Sequence, residues 1–252
     1  MSTMEHSYKQ FAKIYDELIH EDIDYKKIGD FVESICREYN IKNDYYLDLA
    51  CGTGNVALEI AEKFKNRFLV DLSQDMLDEA YEKFREKRIK ANIVCQDMTE
   101  LCLNRKFDLI TCVLDSTNYI LDEEGIGNYF NAVNENLDDD GIFMFDINSY
   151  YKLSEILGNN IYTFNSEDVF YSWENIFEDE IVEMNLTFFV KEDGRYRRFD
   201  EIHEERAYTV ETINDLLEQN GFEVLAKYDG YSKKEVTEKS ERILYVVKKK
   251  GR

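Results

Sequence analysis

From position 45 to 148 the chain alternates between two rhythms of apolar residues. Short, nearly continuous apolar runs read as buried strands, and between several of them apolar positions recur at helical spacing. Residues 45–64 read as strand, glycine-bearing turn and helix; strand 67–73 and helix 74–87 follow, then strands 92–97 and 107–115, helix 123–137 and strand 141–148. Such alternation predicts a doubly wound α/β architecture whose parallel sheet is covered on both faces. Ahead of it, residues 8–39 predict two helices interrupted by the acidic stretch 21–24. Beyond Tyr150 the rhythm changes to aromatic-rich runs of period two at 169–177, 181–191 and 195–208, with a hairpin turn at 192–194. These predict an inserted antiparallel β-sheet. Helix 209–220, ended by Gly221, and strands 222–230 and 241–249 bring the chain back to the main sheet. The expected organisation is a core of residues 1–150 and 206–252 with an N-terminal helical lid, carrying residues 151–205 as a substrate-covering insertion.

Charge narrows the range of partners. With 31 Lys+Arg against 53 Asp+Glu, the formal net charge of −22 repels a phosphodiester backbone, so nucleic acid is not the expected substrate. No run approaches the 18 apolar residues of a membrane span, and the N-terminal residues lack a basic region followed by an apolar stretch. A cytoplasmic protein, monomeric or homodimeric, with a small-molecule acceptor and no membrane partner is the expectation. Cys36, Cys51, Cys95, Cys102 and Cys112 are odd in number and lack C-x-x-C spacing, which predicts reduced, mostly buried thiols and no zinc site.

Gly52 and Gly54 lie where the first strand turns into its helix, where a backbone without Cβ atoms lets a ligand approach the carboxyl end of the sheet. Asp48 precedes that turn, Asp71 ends the second strand and Asp97 the third. A carboxylate at such a strand end can accept both hydrogen bonds of a ribose diol. The run 52–57 also fits the G-x-G-x-x-A fingerprint of nicotinamide oxidoreductases, a reading that has no use for Asp48 or Asp97.

Taken together, 48-DLACGTG-54, 71-DLSQDML-77, Asp97 and 137-LDDDGIFMFDIN-148 resemble the class I S-adenosylmethionine-dependent methyltransferases. Ala50 stands for the first glycine of the family's D-x-G-C-G-x-G motif, and Asp140 for one glycine of the later pair. The resemblance implies a mostly parallel, seven-stranded, Rossmann-like sheet and S-adenosyl-L-methionine as cofactor. It implies that Ala50, Cys51, Gly52 and Gly54 face the methionine part, Asp71 the ribose, and Leu72, Met76 and Asp97 the adenine, with Asp48, Gln96, Met98, Leu114 and Asp115 also among the cofactor-binding residues. A binding module that keeps the pocket without catalysis is the remaining alternative.

Methyl transfer is an in-line displacement at a carbon activated by positive sulfur, so alignment and exclusion of water matter more than obligatory side chains. The segment 114–120 follows the fourth strand. Nucleobase-methylating enzymes carry proline there, and this chain has none. With the aromatic insertion, the segment resembles the small-molecule branch of sugar N-methyltransferases and glycine N-methyltransferase-like enzymes. Tyr119 occupies the place where the sugar enzymes have a histidine. His203 is the other candidate base, Asn118 and Arg206 are candidate substrate contacts, and Tyr8 and Tyr15 are implied as part of a lid over the cofactor. Asp115, Asp146 and Asn148 mimic the magnesium ligands of catechol O-methyltransferases in sequence, but the surrounding loop resembles metal-free relatives, so no metal is expected.

Overall fold

The structure is a computed structural model that describes residues 23–192 and 194–251. In chain order it contains α1 (Tyr25–Glu38), β1 (Tyr45–Leu49), α2 (Asn55–Ile60), β2 (Asn66–Asp71), α3 (Gln74–Glu86), β3 (Asn92–Cys95), β4 (Phe107–Cys112), α4 (Glu123–Asn136) and β5 (Leu137–Asn148). A π-turn at Lys152–Leu157 leads to β6 (Ile161–Asn165), β7 (Val169–Glu178), β8 (Ile181–Glu192) and β9 (Arg195–Arg206), followed by α5 (Val210–Gln219), β10 (Phe222–Asp229) and β11 (Arg242–Lys249).

Seven of the described strands form the main sheet, in the order β10-β11-β5-β4-β1-β2-β3. The pairs among β5, β4, β1, β2 and β3 are parallel, and β11 is reversed, running antiparallel between β5 and β10. Both faces are covered. Phe143, Phe145 and Ile147 of β5 pack toward Ile126, Phe130 and Val133 of α4 and Ile213 and Leu217 of α5. The alternate residues Ile142 and Met144 face the opposite layer, formed by Phe31, Val32 and Ile35 of α1, Ala57 and Ile60 of α2, and Phe84 of α3. A period of two on β5 against 3.6 on the helices is what lets one strand feed two cores.

Helix starts follow side-chain capping. Asp24 accepts from Lys27 N at 2.9 Å, Ser73 from Met76 N at 3.3 Å and Asp122 from Gly125 N at 2.7 Å, each satisfying a donor that the first turn would leave unpaired. Three departures from the predicted elements have local causes. Strand β4 stops at Cys112 rather than 115, because Leu114 and Asp115 adopt left-handed φ of 63° and 60°. Strand β5 starts at Leu137, earlier than predicted, through the acidic 138–140 stretch. Strand β6 has no counterpart in the predicted pattern, since all but one of its five residues are exposed and show no alternation.

The second sheet is antiparallel, in the order β6-β7-β8-β9. Its register sets Phe199 opposite Phe188 and Phe188 opposite Tyr171, then Glu201 opposite Leu186, His203 opposite Met184, and Glu205 opposite Val182. On β9 the odd positions from 199 onward are turned inward and Glu201 and Glu205 are buried, whereas Ile202 and Glu204 are exposed. That inner face rests on the core at two places. Phe188 and Phe199 stack at 4.9 Å and pack against Met76 at the start of α3, and Val182 and Met184 pack against Leu153 and Leu157 of the π-turn. The sheet therefore spans from the end of β2 to the end of β5, over the carboxyl edge of the parallel strands.

Candidate functional site

The two glycines of the first turn serve different ends. A Cβ on Gly54 would lie 3.2 Å from Ala80 Cβ and 3.3 Å from atoms of Leu69 and Phe84, so this residue is glycine because α2 packs tightly against β2 and α3. A Cβ on Gly52 would meet nothing within 4 Å and would project into open space at the carboxyl edge. Both have left-handed φ, 54° and 78° for Gly52 and Gly54, as has Ala50 at 54°. Gly52 N donates to Asp71 Oδ2 at 2.8 Å, and Ser73 N to Asp71 Oδ1 at 2.8 Å. Burial raises the Asp71 carboxyl above its ordinary value, and these backbone donors act against that rise. A carboxylate has about four acceptor positions, so two amide bonds leave capacity for a diol.

Asp48 lies beneath the turn, 2% exposed. Thr111 Oγ1 donates to its Oδ1 at 2.7 Å, while Oδ2 is buried without a partner among the described residues. Burial pushes this carboxyl up to about 7, with the Thr111 and Tyr46 hydroxyls lowering it and Asp71 raising it. Cys51 and Cys112 are held as thiols by burial, the latter pushed up to about 12, and neither is poised as a nucleophile. Leu72, at the end of β2, is 69% exposed, an apolar platform beside Asp71, and Met76 follows it on α3. An unfilled space above Gly52, an unsatisfied buried acceptor at Asp48 and this bare apolar surface fit an adenosyl ligand with a positively charged tail.

Several sequence-predicted residues take other work. Asp97 lies beyond β3, which ends at Cys95, and its Oδ1 caps a short 3-10 turn by accepting from Thr99 N and Thr99 Oγ1, both at 2.8 Å. The Gln96 side chain turns into the same loop, donating to Glu100 O at 2.9 Å and accepting from Cys102 N. Met98 packs partly buried against the α4 side of the core. Asn118 is fully buried and its amide is committed: it donates to Asn148 O at 3.1 Å and Arg206 O at 2.9 Å, and accepts from Asn148 N at 2.8 Å. It clamps β5 and β9 to the segment after β4. Arg206 also has partners within the chain. Its guanidinium donates to Leu121 O at 3.1 Å, pairs with Glu180 at 3.3 Å and Glu123 at 3.6 Å, and lies over the Tyr208 ring, so it ties β9 to α4. Tyr8 and Tyr15 lie outside the described residues. The five cysteines are free, but Cys95 and Cys102 are exposed, against the expectation of burial.

The structure brings Tyr119 and His203 together, edge to face at 6.0 Å and 88°. Tyr119 ends the 3-10 turn Ser116–Tyr119, and His203 comes from the inner face of β9. Burial lowers the imidazole below its ordinary value, so it is neutral at pH 7 and able to accept a proton.

The turn that carries Tyr119 is held by a charged cluster in which sequence reasoning named Asp115 and Asp146 but missed their partners Arg242, Tyr231 and Glu205. Asp146 of β5 is fully buried and accepts from Leu114 N at 2.9 Å and Asp115 N at 2.7 Å, the two residues in left-handed conformation. Left-handed backbone costs about 1–2 kcal/mol per residue, and an ionised acceptor contributes about 1.5–3 kcal/mol per bond, enough to hold the turn. Arg242, the first residue of β11, donates to Asp146 Oδ1 at 2.6 Å and to Asp115 Oδ1 at 2.5 Å, and Tyr231 OH closes on Asp146 Oδ2. Arg242 thus bridges Asp115 and Asp146. Glu205, 3% exposed, faces this cluster from the second sheet and accepts from Asn148 Nδ2 at 2.8 Å. Burial, with Asp115 nearby, pushes it up to about 8. Alternation along 199–205 carried the signal for Glu205; nothing local in the sequence pointed to Arg242 or Tyr231.

Comparison with known proteins gives the family. A family model described as a methyltransferase domain matches residues 47–141. The chain is 35% identical over 250 residues to a protein of Geobacillus sp. (strain WCH70) that bears a methyltransferase name, covering 96% of this chain and 100% of that one. A crystal structure of an S-adenosylmethionine-dependent methyltransferase from Clostridium acetobutylicum ATCC 824 is similar at 53% identity and a TM-score of 0.92, covering 97% and 100% of the two chains. The sugar N-methyltransferase KedS8 from Streptoalloteichus sp ATCC 53650 shares the fold, with a TM-score of 0.79 at 19% identity over 94% and 93%.

Proposed function

The chain belongs to the S-adenosylmethionine-dependent methyltransferases, and on that premise we propose that it methylates a nitrogen or oxygen atom of a small-molecule acceptor. The observation that carries the acceptor reading is the Tyr119–His203 pair, with rings 6.0 Å apart between the carboxyl edge and the inner face of the second sheet. When bound, the cofactor supplies a methyl carbon activated by positive sulfur, which keeps the electron pair of the broken bond. The Gly52 turn, Asp71, Leu72 and Met76 would hold it, with Asp48 beneath the turn. Tyr119 orients the acceptor through its hydroxyl, since an ordinary pKa near 10 makes tyrosine a poor base at neutral pH. His203 takes the proton that the acceptor heteroatom gives up. The aromatic inner face, including Trp173 and Phe188, excludes water from the transfer, which strengthens the alignment the reaction depends on. Support for a small acceptor also comes from KedS8, a sugar enzyme of the same fold.

Calorimetric titration with S-adenosylmethionine, S-adenosylhomocysteine and NAD, followed by a mass-detected methylation screen of small amines and alcohols, tests this reading. We expect both adenosyl ligands and not NAD to bind, and a product heavier by one methyl group. Binding without any product across the screen would favour a non-catalytic module, and preferential NAD binding would overturn the assignment.

A further inference from the structure

We propose that Arg242 is a positioning residue for methyl transfer, bridging Asp115 and Asp146 so that the turn after β4 presents Tyr119 to His203. The inference rests on the reading of that pair as the acceptor-facing end of the site. Arg242 opens β11, opposite Asn148 of β5, and so reaches the carboxyl edge from a strand that runs against its neighbours. Its two arms reach different partners, Nη1 on Asp146 at 2.6 Å and Nη2 on Asp115 at 2.5 Å. Asp146 in turn accepts the Leu114 and Asp115 amides, so the guanidinium, the carboxylate and the turn form one unit.

The unit continues to Tyr119 without a break. Asp115 O accepts from Asn118 N at 2.8 Å, opening the 3-10 turn that ends at Tyr119, and Asn118 fixes that turn to β5 and β9. Two consecutive non-glycine residues in left-handed conformation have no intrinsic reason to stay there. Removing the guanidinium leaves Asp115 and Asp146 as close like charges without their bridge, and the turn relaxes by separating them. Tyr119 then leaves the imidazole. Lysine, a point charge without the planar fork, reaches one carboxylate well and the other poorly.

The chain has only three histidines, so its imidazole NMR spectrum is simple. In the full chain with isotopically labelled histidine, the His203 signal is identified by His203→Gln. Tyr119→Leu defines the displacement caused by loss of the neighbouring ring. We expect Arg242→Gln to move the His203 signal by at least half of that displacement and Arg242→Lys by clearly less. Should Arg242→Gln fail to fold, Arg242→Met, which removes the same guanidinium but keeps an apolar stem to pack, is expected to give the same displacement. A folded Arg242→Gln or Arg242→Met protein with an unmoved His203 signal would overturn the proposal, whatever its melting temperature. Failure of the adenosyl ligands to bind would sink the methyl-transfer reading, but the His203 displacement and its meaning for Arg242 would stand unchanged.

Discussion

The Gly52 amide donates to Asp71 Oδ2 at 2.8 Å, which ties the turn after β1 to the end of β2. One carboxylate therefore both shapes the glycine turn and, in the proposed site, receives the ribose hydroxyls. Asp71→Ala loses a charged acceptor worth about 1.5–3 kcal/mol. The expected result is a weakening of S-adenosylhomocysteine binding by roughly ten- to a hundredfold, read by calorimetry. An unchanged dissociation constant in a folded variant would remove Asp71 from the cofactor site.

Gly52 and Gly54 should separate binding from folding. Gly52→Ala places a methyl group in open space and costs about 1 kcal/mol in backbone strain, so the melting temperature falls modestly while S-adenosylhomocysteine affinity falls about tenfold or more. Gly54→Ala adds to similar strain a methyl group 3.2–3.3 Å from three side chains, so its melting temperature falls further while the folded protein keeps its affinity. The reverse pattern would exchange the two roles.

Glu205 predicts a pH dependence of stability. Its folded pKa, about 8, lies above the ordinary carboxylate value, so the folded chain binds more protons than the unfolded one between those limits. Stability from this group is complete below the ordinary value and falls as pH rises toward 8. Glu205→Gln, which still accepts from Asn148, should therefore gain in melting temperature relative to the parent as pH rises from 5 to about 8, then level off. A difference in melting temperature that is flat over that range would show that Glu205 is ionised throughout.

His203 and Tyr119 should divide acceptor chemistry from cofactor binding once an acceptor is found. His203→Gln is expected to lower kcat by about a hundredfold or more and to remove the limb of the pH profile that belongs to the imidazole, with S-adenosylhomocysteine affinity unchanged. Tyr119→Phe should act chiefly on KM. Loss of cofactor affinity in His203→Gln would instead place the imidazole against the cofactor.

The proposed cofactor side of the site is legible in the sequence because its turn chemistry is contiguous. Residues 48–54 and 71–77 carry the turn, the strand end and the helix start within two short stretches, and physics acts on them locally. Why each glycine is there is not legible, since Gly54 answers to Ala80 and Phe84 across the fold and Gly52 to empty space. The acceptor side is only half legible. His203 stands out in the insertion, yet Arg206 reads as a substrate clamp although the period of two turns it to the face opposite His203 and Glu205. Asp115 and Asp146 form a visible acidic pair, but their cation comes from a residue 96 positions beyond Asp146, which no local pattern announces.

The reversed placement of β11 has a consequence for the order in which the protein can be made. The last of the described strands to leave the ribosome does not join an edge; it slots between β5 and β10 and brings Arg242 to the cluster that holds the turn of Tyr119. The glycine turn and Asp71 are complete early in translation, but the proposed acceptor end of the site waits for almost the whole chain. A product truncated before Arg242 would carry the glycine turn and Asp71 beside an open β5 edge, and the turn after β4 would lack the guanidinium that bridges Asp115 and Asp146.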